Sequence, residues 1–370
     1  MSLQARLEID LDAYRHNLAV LRSLAPDAAQ LAVVKADAYG HGVVPIARTA
    51  RDAGVDWLGV AAWSEALSLR AAGDSGPLLC WLATPGAPWA ELVEADVEVT
   101  ASSADQLEEI LTAAGTRPRV QLKVDTGLAR GGAYGPQWPE LVAAATRAQA
   151  AGRVEITGVW SHFASADEPG NPSNDAQEQV FRSAVADLES AGIDVRWRHL
   201  SNSAATATRP SAHFDLVRVG IASYGLDPDA SLAIPGLRPV LTATAALAAV
   251  KRVGAGTSVS YGGRWTADRA TTLGLVPVGY ADGVHRTASN RAHVGFAGEQ
   301  VPVRGTICMD QFVVDLGDRT ARRGDLVTIL GPGDDGEPTA WDWAGAAGTI
   351  AYEIVTRLSG RWERTYRGAP

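Results

Sequence analysis

From residue 31 to residue 220 short apolar runs alternate with amphipathic segments. The runs cover 31–36, 57–61, 78–82, 97–100, 120–124, 156–162, 195–201 and 216–220. A run of that length, apolar at consecutive positions, predicts a strand buried on both faces. Ala-, Glu- and Leu-rich stretches at 63–72, 103–114, 138–151 and 174–191 carry helical character between most of them. Eight strands alternating with helices over roughly 200 residues suit an α/β fold closed as a (β/α)8 barrel of the TIM type. Ahead of the barrel, Leu7, Ile9 and Leu11 alternate with polar residues, and a helix follows with Leu18, Leu21 and Leu24 on its apolar face. Asp10 or Asp12 is placed to cap that helix.

After Gly225 the texture changes. Asp227-Pro228-Asp229 and Pro235-Gly236 punctuate a connection. Val- and Thr-rich runs at 242–253, 271–279, 300–304, 311–316 and 325–330 follow, separated by Gly, Pro and Asp turns. They predict a mostly β C-terminal domain with one short helix near 341–347. The expected division is a barrel over 10–228 and a β-rich domain over 236–370 joined by residues 1–9.

Composition narrows the function. With 46% hydrophobic residues and a mean hydropathy of -0.03 the chain reads as an ordinary globular protein. A net charge of -9 argues against a nucleic acid or an anionic membrane surface as partner. No run nears the ~20 apolar residues of a membrane span, and the first residues lack the apolar core of a signal peptide. The cytoplasm is the expected location. Cys80 and Cys308 provide neither a disulfide framework nor a zinc pattern.

Lysine is scarce: Lys35, Lys123 and Lys251 are the only three among 33 basic residues. Lys35 stands at the end of the first barrel run. A strand-end lysine either snorkels to water or sits in a cleft as a neutral amine able to bind a carbonyl covalently. Chemistry in such a barrel gathers at the strand ends. There the chain places Tyr39, Lys123 and Arg130, then His162, then Asn202 and Ser203, then Arg218, Gly220 and Ile221. The loops after the seventh and eighth strands commonly hold phosphate in this architecture, and phosphate beside a strand-end lysine suggests pyridoxal phosphate. Alternation turns Leu216, Arg218 and Gly220 to one face. An inward arginine has donors only, so against a pyridine nitrogen it leaves the ring a weak electron sink; the plain alternative is a salt bridge with Asp215 or another carboxylate. Gly40-His41-Gly42 lacks the third glycine of a dinucleotide fingerprint. His162 and His199 have no third ligand at metal spacing, so no metal is expected.

These motifs together resemble the alanine racemase family. The resemblance runs through 31–42, Lys123-Val124-Asp125-Thr126-Gly127, His199-Leu200-Ser201-Asn202-Ser203-Ala204 and Val217-Arg218-Val219-Gly220-Ile221. It continues in Val259-Ser260-Tyr261-Gly262, Gly279-Tyr280-Ala281-Asp282-Gly283, Ile307-Cys308-Met309-Asp310-Gln311 and Tyr352-Glu353-Ile354. It implies a homodimer with shared sites that interconverts L- and D-alanine on pyridoxal 5'-phosphate, supplying D-alanine for peptidoglycan. Lys35 would hold the cofactor and act as one base, and Tyr261, from the partner subunit, as the other. Tyr39, Asn202, Ser203, Gly220, Ile221 and Tyr352 would lie about the phosphate, Arg218 at the ring nitrogen, and His162 beside Arg218. Arg130, Met309, Asp310 and Tyr280 would line the substrate. Lys123 matches a lysine carbamylated in some relatives. Two positions depart from the family pattern: Ala129 replaces the usual glycine and Thr306 a common basic residue. A serine or broad-specificity racemase and, less well supported, a pyridoxal-phosphate decarboxylase are the alternatives. Arg218 disfavours the decarboxylase, whose relatives set a carboxylate at the ring nitrogen.

Overall fold

The computed structural model describes residues 4–368; the parts of the expected C-terminal domain at 1–3 and 369–370 lie outside them. The first strand, β1, covers Ala5–Asp10 and buries Ala5, Leu7 and Ile9. Asp10, rather than Asp12, caps the helix Leu11–Leu24, its carboxylate accepting from the Asp12 and Ala13 N–H groups at 3.0 Å. Leu18 and Leu21 are buried as their spacing predicts, whereas Leu24, at the helix end, is exposed.

Eight parallel strands follow. They are β2 (Ala29–Val33), β3 (Trp57–Ala62), β4 (Leu78–Leu82), β5 (Glu98–Ala101), β6 (Arg119–Lys123), β7 (Glu155–Trp160), β8 (Trp197–His199) and β9 (Leu216–Val219). Each matches one of the eight apolar runs. Their order is β8-β7-β6-β5-β4-β3-β2-β9. The N–H of Asp215 donates to the Arg198 carbonyl and that of Arg218 to the Ser201 carbonyl, both at 3.1 Å, which brings β9 back to β8 and closes the ring. The result is a (β/α)8 barrel.

Strands β10 (Leu241–Ala246), β11 (Ala249–Val253), β12 (Thr271–Val276), β13 (His293–Phe296), β14 (Glu299–Arg304), β15 (Phe312–Gly317), β16 (Leu326–Leu330) and β17 (Glu363–Arg367) join β1 in a nine-stranded sheet. Its order is β11-β12-β15-β14-β13-β16-β10-β1-β17. The run at 242–253 is two strands, broken at Leu247-Ala248. Two strands and one helix lie outside the expected set. β13 is only four residues long and contains a glycine. β17, Glu-Arg-Thr-Tyr-Arg, is a charged edge strand with no apolar alternation. The expected helix, Ala340–Ala347, is capped by Thr339. A second, Ala351–Arg357, carries Ile354, Val355 and Thr356, β-branched residues that favour strand when read locally.

Candidate active site

β2 stops at Val33, short of its expected end, and Lys35 opens a turn of left-handed backbone. Ala36, Asp37, Ala38 and Tyr39 have φ of 54, 53, 53 and 53°. For L-residues that conformation costs about 1–2 kcal/mol each, so contacts from elsewhere must hold it. Glu65 accepts from the Ala36 N–H at 2.5 Å and from the Ala61 and Ala62 N–H groups at 2.9 Å. Asp37 accepts from the Val43 N–H at 2.8 Å and pairs with Arg364 at 2.6 Å. Tyr366 donates to the His41 carbonyl at 3.2 Å. The glycines flanking His41 serve close packing: a Cβ on Gly40 would lie 2.5 Å from the Val355 carbonyl oxygen, and one on Gly42 would lie 2.0 Å from the Tyr366 hydroxyl.

The Lys35 amine lies 6.0 Å from the ring centres of Tyr39 and Trp81. Burial holds its pKa below the ordinary lysine range; Arg130 and Arg218 lower it further, against the pull of Glu65. Lys123 sits 4.4 Å over the Trp160 ring, and burial, helped by Arg130 and Arg218, brings it to about 8. A lysine depressed on folding destabilises the native state while protonated, and this is relieved as pH rises from the folded to the unfolded value. A Lys123→Met variant is therefore expected to be more stable than the parent below a pH of about 8. The gap should close toward the unfolded lysine value of ~10.4. Urea unfolding in carbonate-free buffer at both ends of that window checks this; a constant gap would reject the buried ammonium as its cause.

Arg218 is buried, and among the described residues no carboxylate pairs with it. Its guanidinium donates to the Ser161 carbonyl at 2.8 Å, the Leu200 carbonyl at 3.1 Å, His199 Nδ1 at 3.1 Å and His162 Nδ1 at 3.3 Å. Asp215 is bound instead to Arg198, at 2.6 and 2.8 Å. Trp160 offers its ring face 5.2 Å from the guanidinium carbon. Burial pulls Arg218 down to about 9, which leaves it charged at neutral pH. Burial and the Arg218 charge hold His162 and His199 well below the ordinary imidazole value, so both are neutral.

Beside the lysine turn, past the end of the neighbouring strand β9, Ser203 Oγ accepts from the Gly220 N–H at 2.9 Å, so its own proton is free to be given away. A Cβ on Gly220 would fall 2.6 Å from the Tyr39 hydroxyl, so glycine keeps a cradle open there, just before Ile221. Tyr352, from the second helix of the C-terminal domain, sets its ring 6.3 Å from that of Tyr39. Burial raises both phenols, which remain protonated donors. Asn202 Oδ1 accepts from the Ala205 N–H at 3.0 Å and caps the helix Ser203–Thr208. Asp125 gathers the N–H groups of Gly127, Ala129 and Arg130 and shapes the loop that ends at Arg130, with Ala129 in left-handed backbone.

The remaining expected residues form a separate rim on the C-terminal domain. Tyr261 is 73% exposed, Met309 53% and Tyr280 41%, high values for large apolar side chains. Thr306 donates to the Tyr261 carbonyl at 2.9 Å. The N–H groups of Tyr280 and Ala281 reach the Cys308 and Met309 carbonyls at 3.0 Å. Arg361, which sequence reasoning missed, binds Asp282 at 2.6 Å and Asp310 at 2.7 Å and ties the two loops together. Among the described residues no hydrogen bond joins Tyr261 to Lys35, His162 or Arg218. Nor do those residues include a cluster of three or more potential metal ligands.

The chain as a whole is similar to known proteins. Residues 9–228 match the model of the alanine racemase N-terminal domain, and residues 240–366 that of the C-terminal domain. An alanine racemase of Thermobifida fusca is 51% identical, with 100% of both chains covered. One of Streptomyces coelicolor is 54% identical over 98% of this chain and 96% of the relative. The crystal structure of alanine racemase from a D-cycloserine-producing Streptomyces lavendulae superposes with a TM-score of 0.97 at 53% identity, covering 100% of this chain and 98% of that one.

Proposed function

The chain belongs to the alanine racemase family, and on that premise we propose that it interconverts L-alanine and D-alanine, with Lys35 and Tyr261 as the two groups that move the α-proton. The observation that carries this reading is the buried Arg218, a permanent donor with only neutral acceptors, facing the same barrel mouth as a depressed lysine. The family uses pyridoxal 5'-phosphate, and the residues fit it: an amine of depressed pKa at Lys35 and, at the end of the neighbouring strand β9, a cradle that Gly220 keeps open beside the Tyr39 and Ser203 hydroxyls. When bound, that group supplies a carbonyl for the amine and a ring that draws electron density from the α-carbon.

Every other step falls to the protein. Lys35 anchors the cofactor and handles the proton on one face of the α-carbon. Tyr39, Ser203, Tyr352 and the Ile221 N–H would hold the phosphate, the Gly220 N–H joining them on release from Ser203 Oγ, and Asn202 caps the helix that carries Ser203. Arg218 would face the ring nitrogen as a donor that keeps its proton, which would restrict the electron pull to what one proton transfer requires. His162 holds Arg218 in place. Arg130 and the Met309 N–H receive the substrate carboxylate, Tyr280 narrows the entrance, and Asp310 is steadied by Arg361. Tyr261 handles the proton on the opposite face from a second copy of the chain. Its exposed rim, with Met309 and Tyr280, covers the barrel mouth of that copy in a homodimer. No helix among the described residues is long and apolar enough to cross a membrane. We set the proposed reaction in the cytoplasm, as a source of D-alanine for peptidoglycan.

The test is direct. Purified protein given L-alanine should form D-alanine, and borohydride reduction should fix the cofactor on Lys35. An adduct on Lys123 or Lys251, or turnover of L-serine without turnover of L-alanine, would defeat the assignment.

A further inference from the structure

A chain of hydrogen bonds leaves the site and runs down the barrel interior to its opposite end. Arg218 Nη1 donates to His199 Nδ1 at 3.1 Å, His199 Nε2 meets Gln121 Oε1 at 2.7 Å, and Gln121 Nε2 donates to Glu98 Oε2 at 2.8 Å. Glu98 also accepts from the Thr157 hydroxyl at 2.7 Å and pairs with Arg119 at 3.2 Å. His199, Gln121, Glu98 and Arg218 are all buried. At the Glu98 end lies a crevice of about 810 Å³ whose lining includes Glu98, Arg119 and Thr157. Burial pushes the Glu98 carboxyl above its ordinary range, while Gln121, Thr157 and Arg119 pull it back.

Donor chemistry fixes the direction of every link. A carboxylate only accepts, so Gln121 must turn its NH2 to Glu98. The Gln121 oxygen then faces His199, so Nε2 of that ring must carry the proton. Nδ1 is left as a bare lone pair, the one form that can accept from a guanidinium. Reversing any link would set two donors or two acceptors face to face in a buried site. The terminal anion and the terminal cation are thus joined through neutral groups that have only one consistent arrangement.

We propose that Glu98 is a positioning residue: from the far end of the barrel, it sets the His199 tautomer and, through it, the placement of Arg218 in the site. It touches neither substrate nor cofactor. The inference rests on the reading of Arg218 above, but the tautomer can be measured without reference to activity.

Nitrogen-15 NMR of histidine-labelled holoenzyme, with His199 assigned by its loss in a His199→Gln variant, should show the proton on Nε2. In Glu98→Gln the neighbouring amide is free to present either end. Only Arg218 then still favours the Nε2 proton, so the Nδ1-protonated form, which turns a donor on the guanidinium, should appear beside it, and kcat should fall about tenfold, the lower end of the loss when outer partners of metal-bound imidazoles are removed, with KM near the parent value. Exchanging the two residues, Glu98→Gln with Gln121→Glu, puts a carboxylate beside His199 that again accepts from both neighbours. That variant should restore the Nε2 tautomer and most of kcat. A parent His199 protonated on Nδ1 would overturn the proposal. So would a Glu98→Gln variant that loses activity with its tautomer unmoved, or an exchange variant that leaves the mixture. Should Glu98→Gln fail to fold, the parent spectrum and the exchange variant decide. A parent with the Nε2 proton but no alanine racemisation would defeat the proposed function and leave the hydrogen-bond chain standing.

Discussion

Lys35→Ala and Tyr261→Ala proteins are each expected to lose racemisation by roughly 10²–10⁴-fold, the usual contribution of a positioned acid or base, and to regain part of it when mixed. Lys35 stands at the barrel mouth and Tyr261 on the exposed rim of the C-terminal domain, with no hydrogen bond between them among the described residues. If a second copy supplies the tyrosine, a mixed dimer has one site with both defects and one with neither. Random association makes about half the dimers mixed, so about a quarter of all sites recover. Differently tagged variants, exchanged and then assayed, measure this. Confirmed subunit exchange without recovered activity would mean that both residues act within one chain.

Replacing Arg218 by Met should destabilise the protein by about 3 kcal/mol or more and remove most of the activity. The side chain supplies donors to two carbonyls and two imidazole nitrogens, all near the barrel axis. Removing it leaves those acceptors facing one another, and an unpaired buried polar group costs about 1–3 kcal/mol. Loss of the desolvated charge returns some of that, which keeps the expected total below the sum. Arg218→Lys keeps the charge but not the planar fork, so it should recover stability better than activity. Urea midpoints and initial rates on the same preparations separate the two effects. Stabilities of both variants within about 0.5 kcal/mol of the parent, the range of an ordinary surface change, would show that the guanidinium does not organise the site.

The barrel was legible because strands buried on both faces read as apolar runs, as β2, β3 and β4 do, while β6 and β8, which carry Gln121, Arg198 and His199, were found by their place in the alternation. Lys35 and Arg218 stood out as charges within or beside such runs. The left-handed turn after Val33 was not legible: nothing local in Ala36 or Ala38 favours positive φ, and Glu65, Arg364 and Tyr366 impose it from distant segments. Arg361 and Glu98 escaped notice for a related reason. Each acts through a partner far away in the chain, and an arginine or a glutamate in isolation reads as surface charge. Asn202 shows the converse: its place after a strand suggested phosphate binding, and its side-chain oxygen caps a helix.

In the nine-stranded sheet β1 lies between β10 and β17. Synthesis proceeds from the N-terminus at ~5–20 residues per second, so Leu7 and Ile9 emerge first and wait roughly 10–50 seconds for Leu241 to be made. All eight barrel strands have been synthesised before then. The lysine turn waits longer still, because Arg364 and Tyr366, which brace Asp37 and His41, belong to the last strand. A nascent chain can thus close its barrel while the turn bearing Lys35 still lacks those two contacts. The ordering of Lys35 is tied in time to the synthesis of β17.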